Sequence, residues 1–285
     1  MTGDGDTRNR PVSVTDDCLV NGQWAAHVPV GDRGLLYGDG LFETIAFHGG
    51  VSHLWPLHMR RLADGCRRLS IERPDVKLLA DECAQLVDGP GRAIVRITIT
   101  RGSGGRAYFP PARAAPNRIL MRRRWPDGLD RQRACGLAMI TSSIHLYPRE
   151  PQGLKHLNRL EQVLMARECE QQSADEALAL DHSGAIVEAL TGNIVIVRSG
   201  RLIAPGPHPA AVAGVGLQWL RERAGQALQE RPFRQHELQT ADSLWVINSV
   251  AGLRPVATLD GRVLPLSEVL SEWQQAWLHD NEIVG

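Results

Sequence analysis

Between Gly91 and Thr100 the chain reads Arg-Ala-Ile-Val-Arg-Ile-Thr-Ile-Thr, a run dominated by branched residues. In an extended backbone Ala93, Val95, Ile97 and Ile99 share one face, and Arg92, Arg96, Thr98 and Thr100 share the other. The run is a strand, and a strand needs partners. Leu41–Phe47 and Asn117–Arg124 supply them nearby, and Asn21-Gly22 suits a tight turn between Leu19-Val20 and Gln23-Trp24. Further strands are expected at Leu137–Ser143, Glu176–Leu180, Ile194–Val197, Arg201–Ala204 and Leu244–Ile247. Apolar residues at helical spacing mark helices from His53 to Ser70 and from Pro74 to Val87, with Pro74 in the first turn. Others run from the lysine segment at 155 to about Gln172, from Gly214–Gly216 to about Gln226, from Leu238 to Asp242, and from a Ser267 cap to Trp277.

With 285 residues, this mixture predicts a two-domain fold of the α+β or α/β class. The polar stretch 125–132 is the expected linker between a first domain, 1–124, and a second, 133–285, with residues 1–12 as a disordered lead. Basic and acidic residues balance at 32 each, which argues against a general nucleic-acid binder. No uncharged apolar run is long enough to span a membrane, and Met1–Asp17 lacks the apolar core of a secretory signal. Cys18, Cys66, Cys83, Cys135 and Cys169 are scattered, without a CxxC or a neighbouring histidine at metal-ligand spacing. They read as free thiols of a cytoplasmic protein without a metal site.

Lys155 stands where a segment broken by Pro148, Pro151 and Gly153 meets an amphipathic run whose Leu157, Leu160, Val163 and Leu164 form an apolar stripe. A lysine held there can form a Schiff base with a carbonyl compound, or can simply be a solvated surface residue. Gly34, Gly38 and Gly40 fall within seven residues, the last two flanking Asp39, and suggest a bent backbone that fits neither nucleotide-binding fingerprint. One of Arg60 and Arg61 should turn inward and meet a phosphate. The loop Arg101–Tyr108 offers charge and backbone donors suited to a carboxylate, or is a plain glycine-rich turn. Gly214 and Gly216 flank a helix start where free N–H groups can take a phosphate, or serve only helix packing.

Several motifs occur together and in order: Asp39-Gly40-Leu41-Phe42-Glu43-Thr44, His58-Met59-Arg60-Arg61-Leu62, Lys155-His-Leu-Asn-Arg-Leu, Val187-Glu188-Ala-Leu-Thr-Gly-Asn193, and Gly214-Val215. Across roughly residues 20–256 the chain resembles the fold-type IV pyridoxal-phosphate enzymes, which include D-amino-acid and branched-chain aminotransferases and aminodeoxychorismate lyases. The resemblance implies a D-amino-acid-aminotransferase-like fold that binds pyridoxal 5'-phosphate. It makes Lys155 the Schiff-base lysine and proton-transfer base, and Glu188 the partner of the pyridine nitrogen. Arg61 would hold the cofactor phosphate, with backbone donors from Gly214, Val215 and Gly216, and with Asn193 and Ser249 close by. Where relatives often carry an arginine soon after the glycine-valine element, this chain has Leu217, which removes one expected contact.

Within the family, Thr98–Tyr108, Asn158–Leu164, Ile247-Asn248-Ser249 and Arg254-Pro255-Val256 most resemble the aminodeoxychorismate lyases. That implies conversion of 4-amino-4-deoxychorismate to 4-aminobenzoate and pyruvate, a step of folate synthesis, with D-amino-acid or branched-chain-type transamination as the alternative. The substrate carries two carboxylates, and Arg101, Arg106 and Arg254 are the candidate contacts, with Tyr108 at the entrance. A homodimer is implied as well.

Overall fold

In the computed structural model, described for residues 17–282 apart from 26, 88, 149 and 267, two sheets form the frame. The first is antiparallel. It contains β1 (Cys18–Val20), β2 (Gln23–Trp24), β3 (Gly40–His48), β4 (Arg92–Thr100) and β5 (Asn117–Arg123) in the order β2-β1-β5-β4-β3. Helix α1 (Arg33–Tyr37) precedes β3, and α2 (Trp55–Leu69) and α3 (Val76–Leu86) lie between β3 and β4. The apolar face of β4 is buried at Ala93, Val95, Ile97 and Ile99, against Leu62, Cys66, Leu79 and Cys83 of the two longer helices.

The chain then passes through α4 (Leu129–Cys135), inside and just beyond the stretch read as a linker. Next come β6 (Leu137–Thr141), α5 (Leu160–Gln172), β7 (Glu176–Leu180), β8 (Ile186–Ala189), β9 (Asn193–Arg198), β10 (Arg201–Ala204) and α6 (Val215–Ala224). The last elements are β11 (Leu228–Glu230), β12 (Ser243–Asn248), β13 (Gly252–Leu259), β14 (Arg262–Val263) and α7 (Glu268–Asn281). Their strands make a mixed sheet ordered β11-β10-β9-β12-β13-β6-β7-β8, with β14 added to β13. Only β6 with β13, β6 with β7 and β10 with β11 run parallel.

The outer strand of the first sheet is what joins the halves at the lysine segment. The edge of β3 not used by β4 has free backbone groups, a condition proteins relieve by covering the edge. Here the Phe42 N–H donates to the Lys155 carbonyl at 2.9 Å, and the Leu157 N–H donates to the Gly40 carbonyl at 3.1 Å. Gly38 ends α1 at φ +65, and a side chain there would strike the Asn158 amide 2.3 Å away, so only glycine fits both backbone and neighbour.

Three local expectations change. Pro74 lies outside α3, because Asp75 takes the cap position and accepts from the Leu78 N–H at 2.8 Å. The short helix before β12 is a 3-10 turn at Gln235–Thr240. The stripe on α5 faces outward: Leu160 is 68% and Val163 55% exposed, and the helix is anchored instead by Met165 and Cys169. The lead 1–12 and the cap Ser267 fall outside the described residues.

Candidate active site

Lys155 and Glu188 line one cavity of about 420 Å³ between the sheets, together with Phe42, Thr44, Arg61 and Arg96. The start of α6, the turn after β12 and the strap at Val212–Gly214 complete it. A larger cavity of about 650 Å³ shares Arg61, Asn193, Val212, Gly214 and Val215 but contains neither Lys155 nor Glu188. The smaller one is therefore the candidate site, and the strap lines both cavities.

Lys155 is fixed by the β3 edge, and its Nζ lies 4.5 Å from the centre of the Phe42 ring. Burial pushes the ammonium down to about 7, and the charges of Arg61 and Arg159 act in the same direction, against Glu43 and Glu188. A lysine in that range is about half free amine near neutrality, the form a base or nucleophile must have.

Glu188 sits at the end of β8 and accepts the Val212 N–H on Oε2 at 2.8 Å. Burial pushes its carboxyl up to about 7; the Val212 bond and the charges of Arg159 and Lys155 oppose this. One oxygen, Oε1, is left for a cationic partner.

Arg61 is the inward member of its pair; Arg60 points to solvent and meets Glu222. Its Nε and Nη2 bind the two oxygens of Glu43 at 2.8 and 2.5 Å, and Nη1 donates to the Ala213 carbonyl at 2.8 Å. Two of the five guanidinium N–H groups remain for a ligand. Glu43 also meets His58 Nδ1 at 2.6 Å. Burial disfavours the charge of Glu43, but Arg61 and His58 together outweigh it and hold the carboxyl at about 2. Burial keeps the His58 imidazole below its ordinary range.

Beside Arg61, which bonds the Ala213 carbonyl just before the Gly214 cap, the first-turn N–H groups of α6 have no partner within the helix. Gly214 caps that helix, and a Cβ there would sit 1.7 Å from Asn193 Oδ1; the strap must pass that close because the Asn193 amide donates to the Val212 carbonyl. Ser249 lines the same wall, its hydroxyl donating to the Thr44 carbonyl at 3.2 Å, so it must rotate to serve an anion. A cation, a helix N-terminus and a hydroxyl on one wall, with a buried amine and a buried carboxyl in the same cavity, fit a phosphorylated pyridine aldehyde.

The cavity thus gathers Arg61, Lys155, Glu188, Asn193, Gly214, Val215, Gly216 and Ser249. It does not gather the four substrate candidates. Arg254 is 6% exposed and binds Glu176, Thr191 and Gln132 beneath the cavity wall. Arg101 is bound to Asp39 and to the Leu69 and Ser70 carbonyls. Arg106 lies against Phe109 on an exposed loop, and Tyr108 is 82% exposed. Leu217 is buried in the core formed with Trp219 and Trp245, so no charge was accommodated there.

The reading of the sequence missed Arg96, whose guanidinium stands 3.9 Å from the Phe42 ring centre at the cavity. Its signal was present: an arginine in the middle of a central strand is rarely tolerated without a task. Arg159, beside Lys155, was also unassigned. Among the described residues no cluster of three metal-ligating side chains occurs, and no helix is long and apolar enough to cross a membrane. All five cysteines are unpaired, with Cys135 alone exposed.

Residues 40–259 match the Amino-transferase class IV family. The chain is 31% identical to an aminodeoxychorismate lyase of Vibrio harveyi over 84% of this chain and 89% of that one. It is 32% identical to a putative branched-chain-amino-acid aminotransferase of Methanocaldococcus jannaschii over 86% of each. The crystal structure of 4-amino-4-deoxychorismate lyase from Pseudomonas aeruginosa superposes with a TM-score of 0.86 at 39% identity, covering 93% of this chain and all of that one.

Proposed function

The chain belongs to the class IV amino-transferase family of fold-type IV enzymes, and from that premise we propose that it is a pyridoxal-phosphate-dependent aminodeoxychorismate lyase. The observation that carries the cofactor reading is the burial of Lys155 and Glu188 in one cavity beside Arg61 and the α6 N-terminus. The lyase reading is supported by similarity to two proteins of that name and by the run Asn158–Leu164.

When bound, pyridoxal phosphate supplies an electron-withdrawing ring that stabilises negative charge on the adjoining carbon. Lys155 would hold it, and its amine takes the proton from the substrate ring carbon bearing the amino group. Glu188 would keep the pyridine nitrogen protonated, since a carboxylate favours a neighbouring cation. Arg61, the Val215 and Gly216 N–H groups and Ser249 would anchor the phosphate, contributing orientation more than chemistry. Asn193 holds the strap that carries the Glu188 bond. Arg96 is the cavity's candidate for a substrate carboxylate. Loss of the enolpyruvyl group as pyruvate then leaves 4-aminobenzoate, a folate precursor.

Incubation with 4-amino-4-deoxychorismate and no keto acid should yield 4-aminobenzoate. Failure of cofactor-loaded protein to do so, together with turnover of D-alanine and 2-oxoglutarate, would establish the transaminase instead. We also place the protein in the cytoplasm as a homodimer. Five unpaired thiols fit a reducing compartment. Leu35 and Leu36 on α1, Tyr108 and Phe109 on the adjoining loop, and Leu160 and Val163 on α5 leave apolar surface exposed, as an interface requires. A monomeric mass by sedimentation would refute the dimer.

A further inference from the structure

Arg159 occupies the cap position of α5, where a side-chain oxygen is favoured and a positive charge meets the positive end of the helix dipole. It makes no capping hydrogen bond there. Its side chain turns back instead, with Nε donating to the His156 carbonyl and Nη2 to the Leu154 carbonyl, each at 2.9 Å. These carbonyls stand immediately before and after Lys155, whose own carbonyl accepts from Phe42. Three successive carbonyls around the lysine are therefore held, two of them by one guanidinium. Phe42 packs under the same group: the Arg159 guanidinium carbon is 5.9 Å, and Lys155 Nζ 4.5 Å, from its ring centre. A residue that breaks the local capping rule while meeting a separate set of acceptors marks a functional constraint.

We propose that Arg159 is a positioning residue for Lys155, clamping the peptide on both sides of the lysine and setting the charge environment in which its amine works. The inference rests on Lys155 being the cofactor lysine. The charged groups acting on the amine are Arg61 from α2, Glu43 from β3, Glu188 from β8 and Arg159 itself, with the buried His58 imidazole behind Glu43. Arg61 is engaged by its bidentate partner Glu43, and the bonds of Arg159 to the Leu154 and His156 carbonyls hold its guanidinium beside the lysine segment. Arg159 favours the free amine of Lys155 and the ionised form of Glu188, the states both groups need.

The test uses the apoprotein and its rate of pyridoxal phosphate capture, followed by absorbance from acid to alkaline pH, because only the free amine attacks the aldehyde. Wild type should reach half its maximal rate near 7. Arg159→Gln and Arg159→Met should move that midpoint upward by at least about half a pH unit, an approximately threefold loss of free amine below it. Arg159→Lys keeps the charge but cannot bridge two carbonyls, so its midpoint should stay near wild type while capture slows at every pH. Two uncharged variants guard against one of them misfolding. An unmoved midpoint in whichever of them melts like wild type would overturn the proposal. Borohydride reduction and peptide mass separate this from the underlying assignment: no adduct on Lys155 in wild type would overturn both.

Discussion

Glu43 and Glu188 are the same side chain and both are buried, Glu188 in the cavity wall and Glu43 behind Arg61, yet their carboxyls are driven in opposite directions, to about 2 and to about 7. Burial disfavours charge in both. What separates them is company. Glu43, on β3, has two bonds from Arg61 and one from His58, so its negative charge is matched inside the fold. Glu188, on β8, has one backbone N–H, so its surroundings are left to be completed by a ligand. The first arrangement is a finished piece of scaffold, and the second is a socket. Between these two equally buried carboxyls, the bonding partners decide which way the proton affinity moves.

The largest effect should come from Lys155→Ala. Turnover should fall at least about a thousandfold while the melting temperature stays near wild type, since no partner is stranded. A normal rate would remove the socket from the argument altogether. Glu43→Gln comes next. It orphans a buried guanidinium and should cost about 3–5 kcal/mol of stability in denaturant melts, with weaker cofactor retention. If it melts like wild type, the scaffold half of the contrast is wrong.

Glu188→Gln should behave oppositely in the apoprotein. A carboxyl whose folded value lies near 7 keeps its proton between about 4.3 and 7, where the unfolded chain has released its own. Native protein therefore binds more protons in that window, and wild-type stability falls as pH rises through it. Glutamine removes the dependence, so the variant should gain on wild type by a few kcal/mol between those limits, while losing catalysis. For Glu43 the sign reverses: its stabilisation is present above about 4.3 and is lost as pH falls toward 2. Parallel acid melts of the two variants sharpen the comparison directly. The smallest effect belongs to Arg106→Ala, on an exposed loop against Phe109, which should shift stability by less than about 0.5 kcal/mol.

Much of the scaffold could be read from residue pattern. The alternation in Arg92–Thr100 gave β4 and its buried face, and two adjacent arginines on one helix forced one of them inward, which is Arg61. The lysine was legible from the broken segment before it and from its motif. Partnership was not legible. Nothing local says that Glu43 closes on a guanidinium 18 residues away, or that Arg101 is spent on Asp39 and Arg254 on Glu176, residues 62 and 78 positions distant. Arginines chosen for their chemistry alone were already committed elsewhere, and Arg96, set among branched residues, was passed over as part of a strand. The stripe on α5 failed for a related reason: period gives a face, but which side of the helix meets the core depends on the sheet beneath it.

One short peptide ties these regions together. The Val212 N–H holds Glu188, the Val212 carbonyl takes Asn193, the Ala213 N–H reaches the Gly153 carbonyl just before the lysine segment, and the Ala213 carbonyl takes Arg61 from the first sheet. It works like the keystone of an arch. Sliding one half of the molecule against the other would strain its bonds to Glu188, Arg61 and the lysine segment in a single movement.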